Sequence, residues 1–313
     1  MTLAIGVDIG GTKVAAGVVD AEGHVLARAR RRTPSSDPDH IVDVVVEIVR
    51  QLRADYPAEP VGVGAAGYID GTRSTVLFAP NLAWRHTPLR EQVSQRLGDD
   101  VIVENDANAA AWGEYRFGAG ERQPDLVCLT IGTGIGGGLI FNGELYRGHF
   151  GLAGEPGHVR VVPGGRQCGC GNLGCWEQYA SGSALVRAAR EVATERKEDG
   201  RRLIQMAGDI DSIDGPTVTR AAQEGDPAAI DCFDEIGRWL GQGMADLAAV
   251  LDPGRFVIGG GVAEAGELLL RSARDTFEAS LTGRGYRPNA EIVAASLGSD
   301  AGLIGAADLA RKS

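Results

Sequence analysis

The chain has 313 residues, which suggests two domains at ~100–200 residues each, and its 43% apolar and 23% charged content excludes disordered and fibrous classes. Lys+Arg 31 against Asp+Glu 42 gives a net charge of −11, which argues against a nucleic-acid groove or an anionic membrane face as the main partner. Only three lysines occur, Lys13, Lys197 and Lys312, so most of the positive charge is arginine.

The N-terminus enters a strand pattern at once, without a basic leader, and no apolar run approaches the ~18–20 residues of a membrane span. A cytoplasmic protein is expected. Strands are predicted at Ile5–Ile9, Val14–Val19 and Val25–Arg31, and the basic run Arg28–Arg32 reads as a solvated strand face. A helix follows Ser36-Asp37-Pro38, with Ile41, Val44, Val45, Ile48, Val49 and Leu52 on one face. Then come a strand at Val61–Ala65, a helix at Leu89–Leu97, a strand at Val101–Glu104 and a helix at Ala107–Phe117. Leu126–Ile131 begins a second strand–glycine-turn–strand unit, with the turn at Gly132–Gly138, a strand at Leu139–Phe141 and a hairpin at Asn142-Gly143. This repeats the Ile5–Val19 unit, as an internal duplication would. Helices are predicted at Ser183–Arg196, Thr217–Gln223, Pro227–Leu251, Glu264–Leu281 and Ala301–Ala310, with strands at Arg255–Ile258 and Glu291–Ala295. The polar stretch Lys197–Gly215 reads as a linker or mobile loop. The division expected is an N-terminal α/β lobe over 1–120 and a C-terminal α/β lobe over 121–313, the C-terminal helix being free to pack back on the first.

Glycine is over-represented: 46 residues, about 15% against a usual ~7%. No G-x-x-x-x-G-K-[ST] occurs. Two G-x-G-x-x-G matches, at Gly62–Gly67 and Gly132–Gly137, lack the strand–turn–helix context of a dinucleotide fold. A phosphate cradle fits better. In Asp8-Ile9-Gly10-Gly11-Thr12-Lys13 the glycines free successive N–H groups for phosphate oxygens. Thr12 adds a hydroxyl, Lys13 a charge, and Asp8 a carboxylate for hydrated Mg²⁺. Gly132-Thr133-Gly134 supplies the matching turn in the second half, and Gly259-Gly260-Gly261 lets a ring or ribose approach the backbone. Each turn alone is equally well an ordinary hairpin or close packing; two equivalent turns favour nucleotide phosphate.

Asp106, after Glu104-Asn105 and before a helix, reads locally as a cap and chemically as a general base. Cys168, Cys170 and Cys175 have the spacing C-x-C-x₄-C and need a fourth donor for tetrahedral Zn²⁺. His158 lies ten residues upstream of Cys168, and His149 is the alternative. Such a structural zinc would clamp Glu155 and Glu177 on one segment suited to a neutral polyol. Cys128 and Cys232 read as inert core residues.

Asp8–Lys13, Glu104-Asn105-Asp106-Ala107-Asn108, Leu129–Gly138, Glu155-Pro156-Gly157-His158 and Cys168–Cys175 together resemble the motif series of the ROK family of repressors and sugar kinases. Cys175–Gly182 is similar to its ATP-dependent bacterial glucokinases. The resemblance implies an actin-like (ribonuclease H-like) two-lobed ATPase fold and transfer of phosphate from ATP, with Mg²⁺, to the 6-hydroxyl of D-glucose. It makes Asp106 the base, gives Gly67, Asn81, Asn105, Glu155, His158 and Glu177 to the sugar, and gives His158, Cys168, Cys170 and Cys175 to zinc. Homodimers or homotetramers are common in the family. No DNA-binding module precedes Asp8, which favours a kinase over a repressor. The alternatives are another hexose (N-acetylglucosamine, N-acetylmannosamine, mannose or fructose), polyphosphate as donor, or a non-catalytic sugar-sensing regulator.

Overall fold

The computed structural model describes residues 3–80 and 82–312, so the predicted sugar residue Asn81 lies outside the described residues. The elements in chain order are β1 (Ala4–Ile9), β2 (Lys13–Val19), β3 (Val25–Arg32), α1 (Pro38–Asp55), β4 (Val61–Ala65), β5 (Tyr68–Ile69), β6 (Val76–Phe78), β7 (Arg85–Thr87), α2 (Leu89–Leu97), β8 (Val101–Asn105) and α3 (Asp106–Phe117). They continue as β9 (Leu126–Ile131), β10 (Ile135–Phe141), β11 (Glu144–Tyr146), α4 (Glu177–Ala180), α5 (Gly182–Glu195), α6 (Arg201–Ala207), α7 (Gly215–Gln223) and α8 (Pro227–Leu251). The last are β12 (Arg255–Gly259), α9 (Glu267–Ser280), β13 (Glu291–Ala294) and α10 (Ala301–Arg311). No helix among the described residues is long and apolar enough to cross a membrane.

One five-stranded sheet has the order β3-β2-β1-β4-β8 and the other β11-β10-β9-β12-β13. In the first, β2 pairs antiparallel with both β1 and β3, while β1, β4 and β8 run parallel. The second sheet has the same pattern of chain order, with β11 antiparallel to β10 and β13 parallel to β12. The internal duplication expected from the two glycine turns is therefore present.

The chain divides into two compact units: Met1–Cys128, Gly137–Gly154 and Ala295–Ser313 form one, Leu129–Gly136 and Glu155–Ala294 the other. In the first unit Asp37 caps α1 through His40 N, and Ile41, Val44, Val45, Ile48, Val49 and Leu52 are buried. At about 1.5–3 kcal/mol per fully buried large side chain, these six contribute on the order of 10 kcal/mol of gross transfer energy, most of it offset by chain entropy. Helix α10 is buried along its whole length from Ala301 to Ala310. It reaches the sheet because Gly6 and Gly62 leave room for the carbonyls of Leu303 and Ala306. In the second unit α8 and α9 pack at Gly237 and Gly241, against Leu269 O and the Ala273 backbone.

The structure corrects several local expectations. Gly136, Gly137 and Gly138 belong to strand β10 and not to the turn, which is confined to 132–134. Gly138 is small because Ala111 of α3 lies against it. The stretch expected as a linker holds α6, anchored by buried Leu203. The helix expected over Glu264–Leu281 is broken at Gly266, whose φ of 61° ends a 3₁₀ turn before α9 starts. Asp106 is not the cap of α3. Asn105 is, with its Oδ1 accepting from Asn108 N at 2.9 Å.

Candidate functional site

In the first unit the turn after β1 closes through Gly10 N to Lys13 O at 3.0 Å. Thr33 braces it, its Oγ1 donating to Gly10 O at 2.7 Å and its N–H to Thr12 O at 3.1 Å. Thr12 and Lys13 are exposed at the tip, while Gly10 and Gly11 are partly buried. Asp8 sits at the inner end of this turn. Burial first, and then the charge of Asp106, push its carboxyl up to about 7 against the opposing pull of Lys13. Gly302 of α10 gives this carboxyl room, for a Cβ there would come within 3.2 Å of Asp8 Cγ.

Asp106 is the first residue of α3. Burial raises its carboxyl above the usual range, although the Ala107 N–H donates to Oδ1 at 2.9 Å. With Asn105 serving as cap, Asp106 is not consumed by the helix end. Asn105 Nδ2 donates to Gly67 O at 3.0 Å. Gly67 has φ 132°, and a side chain there would meet Phe78 O. The first unit thus brings Asp8 near Asp106 and Lys13, and Asn105 against Gly67.

The second unit carries two features. The first is a cleft of about 1200 Å³ bordered by Gly132, Thr133, Ser183, Arg187, Arg220 and Gly261. The turn folds through Gly132 N to Gly134 O at 3.0 Å, and α5 is tied to it by Gly182 N to Gly132 O and by Ser183 Oγ to Thr133 O. Of the third glycine run, Gly259 ends β12 and Gly260, at φ 88°, lies against Ile131, leaving Gly261 on the cleft. The cleft exceeds the ~300–1000 Å³ of typical small-ligand sites.

The second feature is the cysteine cluster. The ligand atoms of His158, Cys168, Cys170 and Cys175 all lie within 4.8 Å of one another. Cys170 Sγ is 3.6 Å from Cys175 Sγ, and Cys168 Sγ is 3.7 Å from His158 Nδ1. A tetrahedron with Zn–S of about 2.3 Å has edges near 3.8 Å, so these donors fit one metal ion. Loop closure comes from Cys168 N to Asn172 O and Gly171 N to Cys168 O, with Gly171 and Gly174 at φ 94° and 80°. Burial raises Cys168 and Cys175; burial works the same way on Cys170, but the Asn172 N–H and its sulfur neighbours outweigh it and lower the thiol. Glu177 accepts from Cys168 Sγ at 2.9 Å and lies 3.8 Å from His158 Nδ1. Its other oxygen reaches Gly134. Glu155, whose carbonyl accepts from His158 N at 3.2 Å, precedes the 3₁₀ turn Pro156–His158.

The ROK family model matches residues 4–313 of this chain. The chain belongs to the ROK family. This ROK chain is 51% identical over 313 residues to a glucokinase of Streptomyces coelicolor, covering 100% of the chain and 98% of that relative. It superposes with a TM-score of 0.93, at 54% identity, on a ROK family glucokinase from Streptomyces griseus solved in complex with glucose and AMPPNP, covering 99% of this chain and 100% of that one. A ROK hexokinase from Thermus thermophilus gives 0.78 at 34% identity, over 98% and 97% of the two chains. The fold of the ROK chain is the actin-like ATPase fold.

Sequence reasoning missed two things in this ROK chain. The arginines of α5 at 187 and 190 border the cleft, and their three-residue spacing on one polar helix face was the available signal. Glu104, 1% exposed, forms ion pairs with Arg73 and Arg147 at 3.1 and 2.9 Å.

Proposed function

We propose that the chain phosphorylates D-glucose at the expense of ATP, giving glucose 6-phosphate and ADP. The observation that carries this reading is the full-length likeness to a ROK glucokinase solved with glucose and AMPPNP. Asp106 takes the proton from the sugar 6-hydroxyl. Its buried, raised carboxyl supports that role, because a base whose pKa approaches the working pH transfers protons most efficiently. Gly67, Asn105, Glu155, His158 and Glu177 are assigned to the sugar. The cleft beside Gly132-Thr133-Gly134 and Gly261 takes the nucleotide, and the Asp8–Lys13 turn takes phosphate oxygens.

Two metal ions belong to this reading. The donor set at His158, Cys168, Cys170 and Cys175 suits a structural Zn²⁺, three thiolates and one imidazole at tetrahedral spacing. The charge of Asp106 raises the buried carboxyl of Asp8, and a cation beside them would relieve that repulsion; bound Mg²⁺ supplies charge neutralisation of the phosphates. Asp8 would hold it through its waters. The family resemblance extends the reading to a cytoplasmic homodimer or homotetramer, to be read by light scattering.

The test is ADP release measured over glucose, N-acetylglucosamine, N-acetylmannosamine, mannose and fructose, with ATP and polyphosphate compared as donors. Glucose with ATP is expected to give the highest kcat/KM. Absence of sugar-dependent turnover with every pair would return the chain to a sugar-sensing role.

A further inference from the structure

We propose that Glu104, gripped by Arg73 and Arg147, is the positioning residue that sets the aim of Asp106; this rests on Asp106 being the base of the proposed reaction. Glu104 is the penultimate residue of β8, and its carboxylate faces two guanidinium groups while only 1% exposed. Arg147 Nε lies 2.9 Å from Oε2 and Arg73 Nε 3.1 Å from the same oxygen. The other oxygen, Oε1, accepts from Asn105 N at 3.0 Å and from Asn108 Nδ2 at 3.1 Å. Glu104 therefore holds the residue immediately before Asp106 and the residue two places after it.

Its hold matters because Asp106 occupies the first position of a helix, where helices fray. Asn105 is fixed at three points: its N–H by Glu104, its Nδ2 by Gly67 O, and its Oδ1 by Asn108 N. Hydrogen bonds on both 105 and 108 thus brace the backbone around Asp106.

The clamp is itself built with care. Arg147 also donates to Gly71 O and Asp70 O at 3.3 and 3.2 Å. Asp70 organises the turn below, accepting from Thr72 Oγ1 and from the N–H groups of Ser74 and Thr75. That turn holds Arg73 at φ 57°, a left-handed conformation uncommon for a non-glycine residue. Such conformations cluster at functional sites. Here it delivers Arg73 Nε to Glu104. A carboxylate needed only for burial would not require two arginines from separate segments, one of them in an unfavourable backbone state, next to the catalytic carboxyl.

Glu104→Gln keeps the shape and an acceptor for Asn105 N but removes the charge that recruits both arginines. Misplacement of a reacting group by about 1 Å costs on the order of 10²-fold in rate. The expected result is a kcat per folded molecule lowered by roughly 10- to 100-fold, with KM for ATP unchanged. Arg147→Ala, which leaves the carboxylate in place, should show the same split, and Arg147→Lys should recover most of the loss. Folded fraction is measured by thermal melting and circular dichroism on each variant, so Arg147→Ala keeps the test alive where Glu104→Gln does not fold. Wild-type kcat per folded molecule in the folded variants overturns the proposal, as does a rise in KM for ATP equal to the fall in kcat. A wild type without glucose-dependent ADP release fails before any variant is made, and ends the underlying reading along with this one.

Discussion

The carboxylate of Glu177 occupies the space that a side chain on Gly134 would need. One of its oxygens is at the 132–134 turn and the other accepts from Cys168 of the cysteine cluster. Gly134→Ala must displace Glu177, and the displacement falls on a residue assigned to the sugar. KM for glucose should rise at least about tenfold, in line with losing one positioned polar contact. The melting temperature should change little, since the clash is with the end of one side chain. An unchanged KM would show that Glu177 does not touch the sugar.

Asp106→Ala should lower kcat by about 10²–10⁴-fold, the usual share of a general base. Nucleotide affinity, read by calorimetry without Mg²⁺, should stay within about twofold, because the cleft proposed for the nucleotide lies among 132–264. Turnover close to wild type would remove Asp106 from the chemistry.

Cys170→Ser removes one of four donors. Metal analysis should fall from one zinc per chain to near none, with a lower melting temperature, since structural zinc binding adds directly to folding energy. Native protein that contains no zinc would refute the assignment.

Asp8 gives a pH signature. Its carboxyl titrates near 7 when folded, by burial and then by repulsion from Asp106, against a reference value of 3.8. Between these values the folded protein keeps a proton that the unfolded chain has released. The stability this contributes is complete below about 3.8 and is lost as pH rises through about 7. Asp8→Asn cannot ionise. In protein freed of nucleotide and Mg²⁺, the melting temperature of Asp8→Asn relative to wild type should climb from pH 4 to 7 and then level off, a total of several degrees. A flat difference across that range would contradict the shift.

Gly6→Ala tests the seat of α10. A methyl group there meets the carbonyl of Leu303, so the helix must move. Overpacking of this kind typically costs about 1–3 kcal/mol. A melting curve indistinguishable from wild type would mean that α10 does not pack against Gly6 as closely as the clash between its Leu303 carbonyl and a Cβ there requires.

Local chemistry made much of this legible. Helix α8 begins and ends where its Asp226-Pro227 start and apolar periodicity put it, and β4 and α2 likewise. The glycine turns marked the two copies of the duplicated element, and C-x-C-x₄-C marked the cluster. What stayed hidden depends on distant partners. Strands β5, β6 and β7 have only two or three residues and are held by each other, so no alternation could announce them. The capping role passed from Asp106 to Asn105 through a single side-chain bond. Glu104 looks like an ordinary acidic residue after three valines and isoleucines; its arginines lie 31 and 43 positions further off or back in a chain of many arginines, and nothing local selects them.

Leu303, Ile304 and Ala307 share a buried cluster with Ala4 and Val19, and the whole of the second unit is encoded between them. On a ribosome, therefore, the earliest strands emerge long before the helix that seals them. The inserted half can mature while the outer half waits with Gly6 and Gly62 uncovered, and a stalled or clipped nascent chain lacking that helix leaves a sheet with one face bare to chaperones and proteases.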